Sequence, residues 1–371
     1  MSGRNSICFV AYNLYSYFAP DSSQSAGGSE RQQHIIATEL ADGDYDVSAI
    51  VGDFGQDLEE SFGDISVYRA YKSVGPKGFQ SMRGSMRVPI QLFKFFRAME
   101  ISNSDIYYTR CSLYYPLLSM YSRFRDISYI CGISHDRDVD PEFIKSHNKL
   151  VSSVYISSLK NADLVISQTD YQKRELNKHF DVDSIVIPNC YRIRDSYNLG
   201  GEYFLWVGRA DKSSKSPEQY LQLATNISDE KFLMIVAPGD NRSYYNILKK
   251  KAKKISNVEF LGYVPPNRID NYYLDAKALV NTSKSEGFPN TYLESWSAGT
   301  PVVATNCGLN GLVQEGGMGL VCGNVNGLVR GCRSIAENPV ISRKFGENGR
   351  KYVEKNHSVD NVLNKFERKV F

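Results

Sequence analysis

Two doubly wound parallel-sheet halves of the α/β class are predicted by three features of this chain. Short β-rich runs alternate with helical patterns from end to end, and that alternation starts afresh after Pro188. The length, 371 residues, is long for one domain and comfortable for two.

In the first half, strands are expected at 7–11, 47–51, 65–68, 106–109, 128–133, 164–166 and 185–187. Apolar spacing at the helical period predicts helices at 30–40, 88–99, 113–124 and 148–161. Residues 189–201, NCYRIRDSYNLGG, are polar and turn-rich, as a linker is. A second series of strands then follows at 204–207, 232–236, 258–261, 278–281, 302–304 and 320–321. The tail carries an apolar stripe at Val359, Val362, Leu363 and Phe366 behind a capping Ser358. The expected division is a first domain over 1–190, a linker over 191–201, a second domain over 202–340, and helices over 341–371 as candidates to return to the first domain.

Composition narrows the function. Hydrophobic residues make up 42% and charged residues 23%, the balance of an ordinary soluble protein with two sizeable cores. A formal charge of +3, from 44 basic and 41 acidic side chains, argues against nucleic acid as a partner held by bulk charge. Seven scattered cysteines without a CxxC pair point to reduced thiols, with neither a zinc site nor a disulfide framework. The N-terminus is too polar for a secretory signal, and no run approaches the roughly 18 apolar residues that cross a bilayer. A cytoplasmic protein, at most peripheral at a membrane, is the expectation.

Ligands of open α/β sheets sit beyond the carboxyl ends of strands. The most informative such segment is residues 281–305, NTSKSEGFPNTYLESWSAGTPVVAT, which reads as strand, tight turn, helix and strand. Glu286 stands at the turn and Glu294 inside the helix, with Gly287, Phe288, Pro289, Asn290 and Thr291 at the helix mouth between them. A helix mouth offers backbone N–H groups and a positive dipole end to phosphate oxygens, and a carboxylate can accept from sugar hydroxyls. Together they ask for a ligand that carries both phosphate and sugar.

This block resembles the Glu-x7-Glu element of retaining glycosyltransferases of family 4. The resemblance implies the GT-B fold, two Rossmann-like domains facing across a cleft, and a UDP- or GDP-sugar as donor with no metal or other cofactor required. It assigns Arg209 and Lys215, in VGRADKSSKSPE, to the donor diphosphate, with Ser216 where glycine is usual and Lys212 as a competing cation. Glu294 would hold the ribose and Glu286 the transferred sugar. Gly27 and Gly28, in AGGSERQ, become cleft residues ahead of a helix that Ser29 can cap, with Arg31 either an anion contact or simply solvated. His135, after the strand SYICGIS, would orient the sugar; Asp136 is a weaker candidate. Val264, in FLGYVPPNRIDNYYLDA, falls beside the nucleobase. One departure touches donor recognition: CGLNGLV puts Gly311 where the family has a glutamate.

Other features are read more plainly. The Asp-x-Asp spacings in DRDVD and at Asp42, Asp44 and Asp46 are incidental, and KKKAKK at 249–254 is a solvated helix face. Residues 78–99 mix arginine, methionine and phenylalanine; they suit a buried helix with a basic rim, or an amphipathic segment touching a membrane. The function expected is retaining transfer of a sugar from a nucleoside diphosphate to a glycan or lipid-linked glycan hydroxyl. A sugar-nucleotide epimerase of similar fold and a non-catalytic sugar-nucleotide-binding homologue are the alternatives. A dinucleotide dehydrogenase lacks its GxGxxG after the first strand.

Overall fold

A computed structural model describes residues 5–19, 27–72, 88–193, 196–197, 200–239 and 241–371. The chain divides into two compact units: Met1–Pro188 together with Leu363–Phe371, and Asn189–Val362.

The first unit is built on strands β1 (Ser6–Val10), β2 (Asp46–Val51), β3 (Glu59–Phe62), β4 (Ile65–Arg69), β5 (Ile106–Thr109), β6 (Ser128–Gly132), β7 (Leu164–Ser167) and β8 (Ile185–Val186). They form one sheet in the order β3-β4-β2-β1-β5-β6-β7-β8. All neighbours are parallel except the edge pair β3 and β4. Strand β3 was not foreseen, because EESF shows no apolar run; an exposed edge strand needs none.

Helices α1 (Tyr15–Phe18) and α2 (Gly28–Ala41) follow β1. Helices α3 (Val88–Ser102), α4 (Tyr115–Ser122), α5 (Pro141–Lys145), α6 (Lys149–Lys160) and α7 (Asp170–Phe180) connect the later strands. Phe95 and Met99 of α3, Leu118 of α4, Leu159 of α6 and Leu176 of α7 share one core with sheet residues such as Tyr107 and Tyr129. That shared core places the four helices in one layer over one sheet face, as right-handed crossovers in one direction require. Helix α7 was also missed: DYQKRELNKHF is mostly polar and anchors through Leu176 and Phe180, both buried. Of residues 78–99, the part 78–87 lies outside the described residues.

The second unit holds β9 (Tyr203–Arg209), β10 (Lys231–Ala237), β11 (Val258–Leu261), β12 (Ala276–Asn281), β13 (Val302–Ala304) and β14 (Gly319–Val321). The sheet order is β11-β10-β9-β12-β13-β14 and every pair is parallel. Counted from β9 this is the doubly wound order 3-2-1-4-5-6, whose direction reverses between β9 and β12. The helices are α8 (Pro217–Asn226), α9 (Arg242–Ala252), α10 (Pro266–Leu274), α11 (Asn290–Ser297), α12 (Leu312–Glu315), α13 (Val325–Glu337), α14 (Pro339–Asn356) and the start of α15 (Val359–Val370), whose residues from Leu363 on belong to the first unit.

Two cores, around Trp296 and Tyr292 and around Phe204 and Met234, fill the two faces of this sheet. Helix α14 meets α11 closely because Gly346 lacks a side chain: a Cβ there would lie 1.8 Å from the Gly299 carbonyl oxygen. On α9 the lysines flank buried Leu248 and Ala252, so KKKAKK is a solvated face.

Two expectations need correction. Asn189, Cys190 and Tyr191, read as the start of a polar, turn-rich linker, are buried. Tyr191 donates its hydroxyl to Asp270 (2.9 Å) and bridges to Ser358. Strand β9 also runs two residues beyond its expected end, through Arg209. At the far end of the chain, Phe366 meets Tyr108 edge-on and Phe371 stacks on Tyr45, with centroids 5.5 and 4.2 Å apart. Among the described residues, no helix is long and apolar enough to cross a membrane.

Candidate functional site

In the second unit Arg209, Lys215, Glu286 and the start of α11 lie at or after the ends of β9 and β12, where the strand order reverses. Arg209 ends β9 with its side chain exposed. The next turn is built by Asp211, whose carboxylate accepts from Ser213 N–H (2.8 Å), Ser213 Oγ (2.6 Å) and Ser214 Oγ (2.6 Å). Burial works against ionisation of Asp211, but the hydrogen bonds from Ser213 and Ser214 outweigh it and lower the carboxyl to about 2. The turn then delivers Lys215. Ser216, next in line, adopts the left-handed conformation (φ +46°), and its buried hydroxyl has no hydrogen-bond partner among the described residues. Left-handed φ is why glycine is usual at such a position.

The neighbouring strand supplies the other half. After β12, Ser283 N–H is held by the Asn281 side chain (2.8 Å). Lys284 N–H donates to the Ser214 carbonyl (2.8 Å), which zips the two loops together. Thr282 Oγ1 adds a bond to the Lys215 carbonyl (2.7 Å), and Trp206 Nε1 donates to Thr282 in turn (2.9 Å). On this frame Lys215 and Glu286 form an ion pair, with Ser283 Oγ also donating to Glu286 (2.6 Å). Lys215 is the cation that meets Glu286; Lys212 points to solvent from the same loop.

Helix α11 begins at Asn290 with Pro289 as its N-cap and no side-chain cap. The mouth is therefore not sealed by a side chain, although Tyr292 N–H already bonds the Pro289 carbonyl (3.0 Å). Gly287 is buried and Thr291 half-buried. Phe288 differs from expectation: its ring packs in the core against His357 (4.6 Å between centroids) and Trp296, so only its backbone is available to a ligand. Glu294, on the second turn, is 6% exposed and accepts a hydrogen bond from Tyr273 of α10. Val264 is half-buried between β11 and α10 and packs on the same core.

Behind the mouth lies a set of partners that sequence alone did not connect. Asn189 Nδ2 donates to the Phe288 carbonyl and to Asn290 Oδ1, both at 3.0 Å. The Asn189 carbonyl accepts from His357 Nδ1 (2.6 Å). Burial lowers the His357 imidazole to about 4, and the bond to Asn189 opposes that only in part. In the sequence Asn189 opens the polar run NCYRIRDSYNLGG, and nothing there linked it to a histidine far downstream.

Beyond β13, Leu309, Asn310 and Gly311 all have positive φ (51°, 56° and 94°). A Cβ at Gly311 would come within 2.7 Å of the Glu315 carboxylate. The Glu315 carboxylate is the end of a flexible side chain and can move aside, so it is the left-handed φ that favours glycine over the glutamate of the family pattern at 311.

The first unit holds the remaining predicted residues at its own strand ends. Gly27 is the N-cap of α2, and the cap is made by Glu30, whose carboxylate accepts from Gly27 N–H (3.1 Å). Ser29 is not the capping residue; it donates to Glu30 (2.8 Å). Gly28 opens the helix and is exposed. His135 follows β6 and accepts the Arg137 N–H at Nδ1 (3.0 Å), which leaves Nε2 as the proton-bearing nitrogen of the neutral ring.

The aspartates of DRDVD are structural. Asp136 accepts from Gln172 (3.0 Å), Asp138 from His135 N–H (2.9 Å), and Asp140 from Glu142 N–H (2.9 Å). Among the described residues, no cluster of His, Cys, Asp and Glu is arranged to hold a metal ion.

Comparison with known proteins fits this geometry. Residues 201–338 match the family model described as "Glycosyl transferases group 1". An uncharacterized glycosyltransferase of Methanocaldococcus jannaschii is 30% identical over 200 residues, which cover 53% of this chain and 56% of the relative. That match thus spans just over half the relative's length. Among solved structures, sucrose-phosphate synthase from Thermosynechococcus elongatus superposes with a TM-score of 0.81 at 18% identity, covering 99% of this chain and 98% of that one. Anabaena HepE, solved with UDP and glucose, gives a TM-score of 0.75 at 16% identity over 99% of both chains. The chain has the GT-B fold and is related, through residues 201–338, to the glycosyl transferases of group 1.

Proposed function

We propose that this protein transfers a sugar from a nucleoside diphosphate to an acceptor hydroxyl, with retention at the anomeric carbon. The observation that carries the reading is the Lys215–Glu286 pair, set where the β9–β12 order reverses and beside the uncapped mouth of α11. A cation for phosphate and a carboxylate for sugar hydroxyls lie together at the place where doubly wound sheets bind nucleotides.

Arg209, Lys215 and the amides at Gly287–Thr291 would stabilise the charge that grows on the departing diphosphate. Glu294 holds the ribose hydroxyls, Glu286 the transferred sugar, and Val264 lies by the base. His135, Gly27 and Gly28 of the first unit are assigned, on the family resemblance, to the sugar and the acceptor side. In the transfer the anomeric carbon–phosphate oxygen bond breaks and a carbon–oxygen bond to the acceptor forms on the same face. The acceptor's proton passes to the leaving diphosphate, so no second catalytic carboxylate is needed. HepE was solved with UDP-glucose, which supports a UDP-sugar as the first donor to try. A glycan or lipid-linked glycan acceptor is our reading of the acceptor class, with contact at a membrane surface rather than passage through it.

The test is a panel of UDP- and GDP-sugars incubated with and without glycan and glycolipid acceptors. Nucleoside diphosphate released only with an acceptor, with the sugar attached to it, supports transfer. Altered free sugar without an acceptor would make this an epimerase, and binding without turnover a non-catalytic sugar-nucleotide receptor.

A further inference from the structure

We propose that the outer face of the α3–α4–α6 layer in the first unit is a docking surface for an anionic lipid bilayer. This deepens the proposed function by placing the acceptor at a membrane. It rests on that reading only for the link to transfer.

Exposed large apolar side chains are concentrated here. Of sixteen among the described residues, seven lie on α3, α4 or α6, and Phe124 lies just beyond α4. Each helix in the layer buries one face and leaves another apolar. Helix α3 buries Phe95, Ala98 and Met99, while Phe93 is 66% exposed and Ile90 55%. At helical spacing Ile90, Phe93, Arg97 and Ile101 form one outward stripe. On α4, Leu118 is buried, Met120 is exposed, and Phe124 just beyond the helix is 80% exposed. At the start of α6, Leu150 is 72% exposed.

The helices are locked side by side, so these stripes form one surface. Phe96 of α3 stacks on Tyr121 of α4 (5.8 Å), and Tyr115 of α4 stacks on Tyr155 of α6 (5.9 Å). Exposed apolar side chains clustered on one face mark a candidate interaction site.

Charge chooses the occupant. Lys94, Arg97 and Arg123 are exposed on this face and make no ion pair among the described residues. The acid beside them, Glu100, is already neutralised by Arg125, whose Nε donates to it (2.9 Å). Unpaired cations interleaved with apolar side chains fit a bilayer, where the rings enter the acyl boundary and the long stems carry charge up to the phosphates. A second copy of the chain fits less well, since two-fold pairing of this face would set its cations against themselves.

The experiment is cosedimentation of the full chain with vesicles of phosphatidylcholine alone and of phosphatidylcholine with phosphatidylglycerol. No donor or acceptor is present, so a failure of sugar transfer leaves the result standing, and the reverse also holds. The protein should pellet with the anionic vesicles only, and less as salt rises. Phe93→Asp should lower the partition about tenfold, by loss of the buried ring. Lys94→Glu with Arg97→Glu should lower it by at least about 25-fold, at about fivefold for each cation removed. All three sites are exposed, and unchanged thermal midpoints confirm intact folding. No pelleting with either vesicle, pelleting that these variants leave unchanged, or a concentration-dependent dimer abolished by Phe93→Asp would each overturn the proposal.

Discussion

Lys215 and Glu286, 71 residues apart in sequence, neutralise one another at the junction of two strand-end loops. The side chains are 30% and 10% exposed, so the pair is partly screened and is worth less than about 1 kcal/mol. A donor that placed phosphate on Lys215 and sugar on Glu286 would have to part them. Glu286→Gln frees Lys215 and should tighten binding of the bare nucleoside diphosphate by up to about fivefold while sugar transfer falls. Calorimetric titration with UDP and GDP, set beside turnover, checks this; weaker diphosphate binding would refute it.

Arg209, exposed at the end of β9, is the other proposed phosphate ligand. Arg209→Ala should weaken donor binding or turnover by about 1.5–3 kcal/mol, the worth of a hydrogen bond to a charged group. That is on the order of ten- to a hundredfold. Steady-state kinetics with the preferred donor decides it, and an unchanged kcat/KM would remove Arg209 from the site.

Tyr273 is fully buried and donates to Glu294. Tyr273→Phe takes away one donor from a buried carboxylate and should lower stability by about 1–3 kcal/mol. It should also impair binding of intact donor more than binding of pyrophosphate, which has no ribose for Glu294 to hold. Equal losses for both ligands would deny Tyr273 that positioning role.

Ser216 combines a left-handed backbone with a buried hydroxyl that has no partner among the described residues. Ser216→Gly removes both features and restores some chain entropy to the unfolded state, for a net gain of about 0.5–1 kcal/mol. Denaturant unfolding monitored by tryptophan fluorescence measures it. A less stable variant would mean that the hydroxyl has a role in the folded protein.

His357 offers a test by pH. Its folded value of about 4 lies below the ordinary 6.5, so the unfolded chain takes up a proton before the folded one does. Stability should therefore be unaffected by this group above pH 6.5 and should fall as pH drops from there toward 4. The full loss would be about 3 kcal/mol. His357→Gln should flatten that part of the stability profile, even though it lowers stability at neutral pH by disturbing the Asn189 contact. An equally steep acid limb in the variant would assign the slope to other groups.

Most strands were legible because β-branched and aromatic runs such as ICFVA stand between turn residues. Segments that pack with little apolar content were not legible: β3 is EESF at an edge, and α7 anchors by two side chains. Partnerships between distant residues were hidden for another reason. His357 and Asn189 are 168 positions apart, and no local pattern marks a hydrogen bond that only the folded chain creates. The Gly311 loop shows the converse. A departure from a family pattern looked like lost chemistry, whereas the positive φ at Gly311 gives glycine a backbone reason to stand there.

Residues Leu363–Phe371 are components of the first unit, where Phe366 and Phe371 cover Tyr108 and Tyr45. They leave the ribosome after every residue of the second unit. The half of the protein that is made first must therefore wait, with those tyrosines wet, until the half made last has been finished.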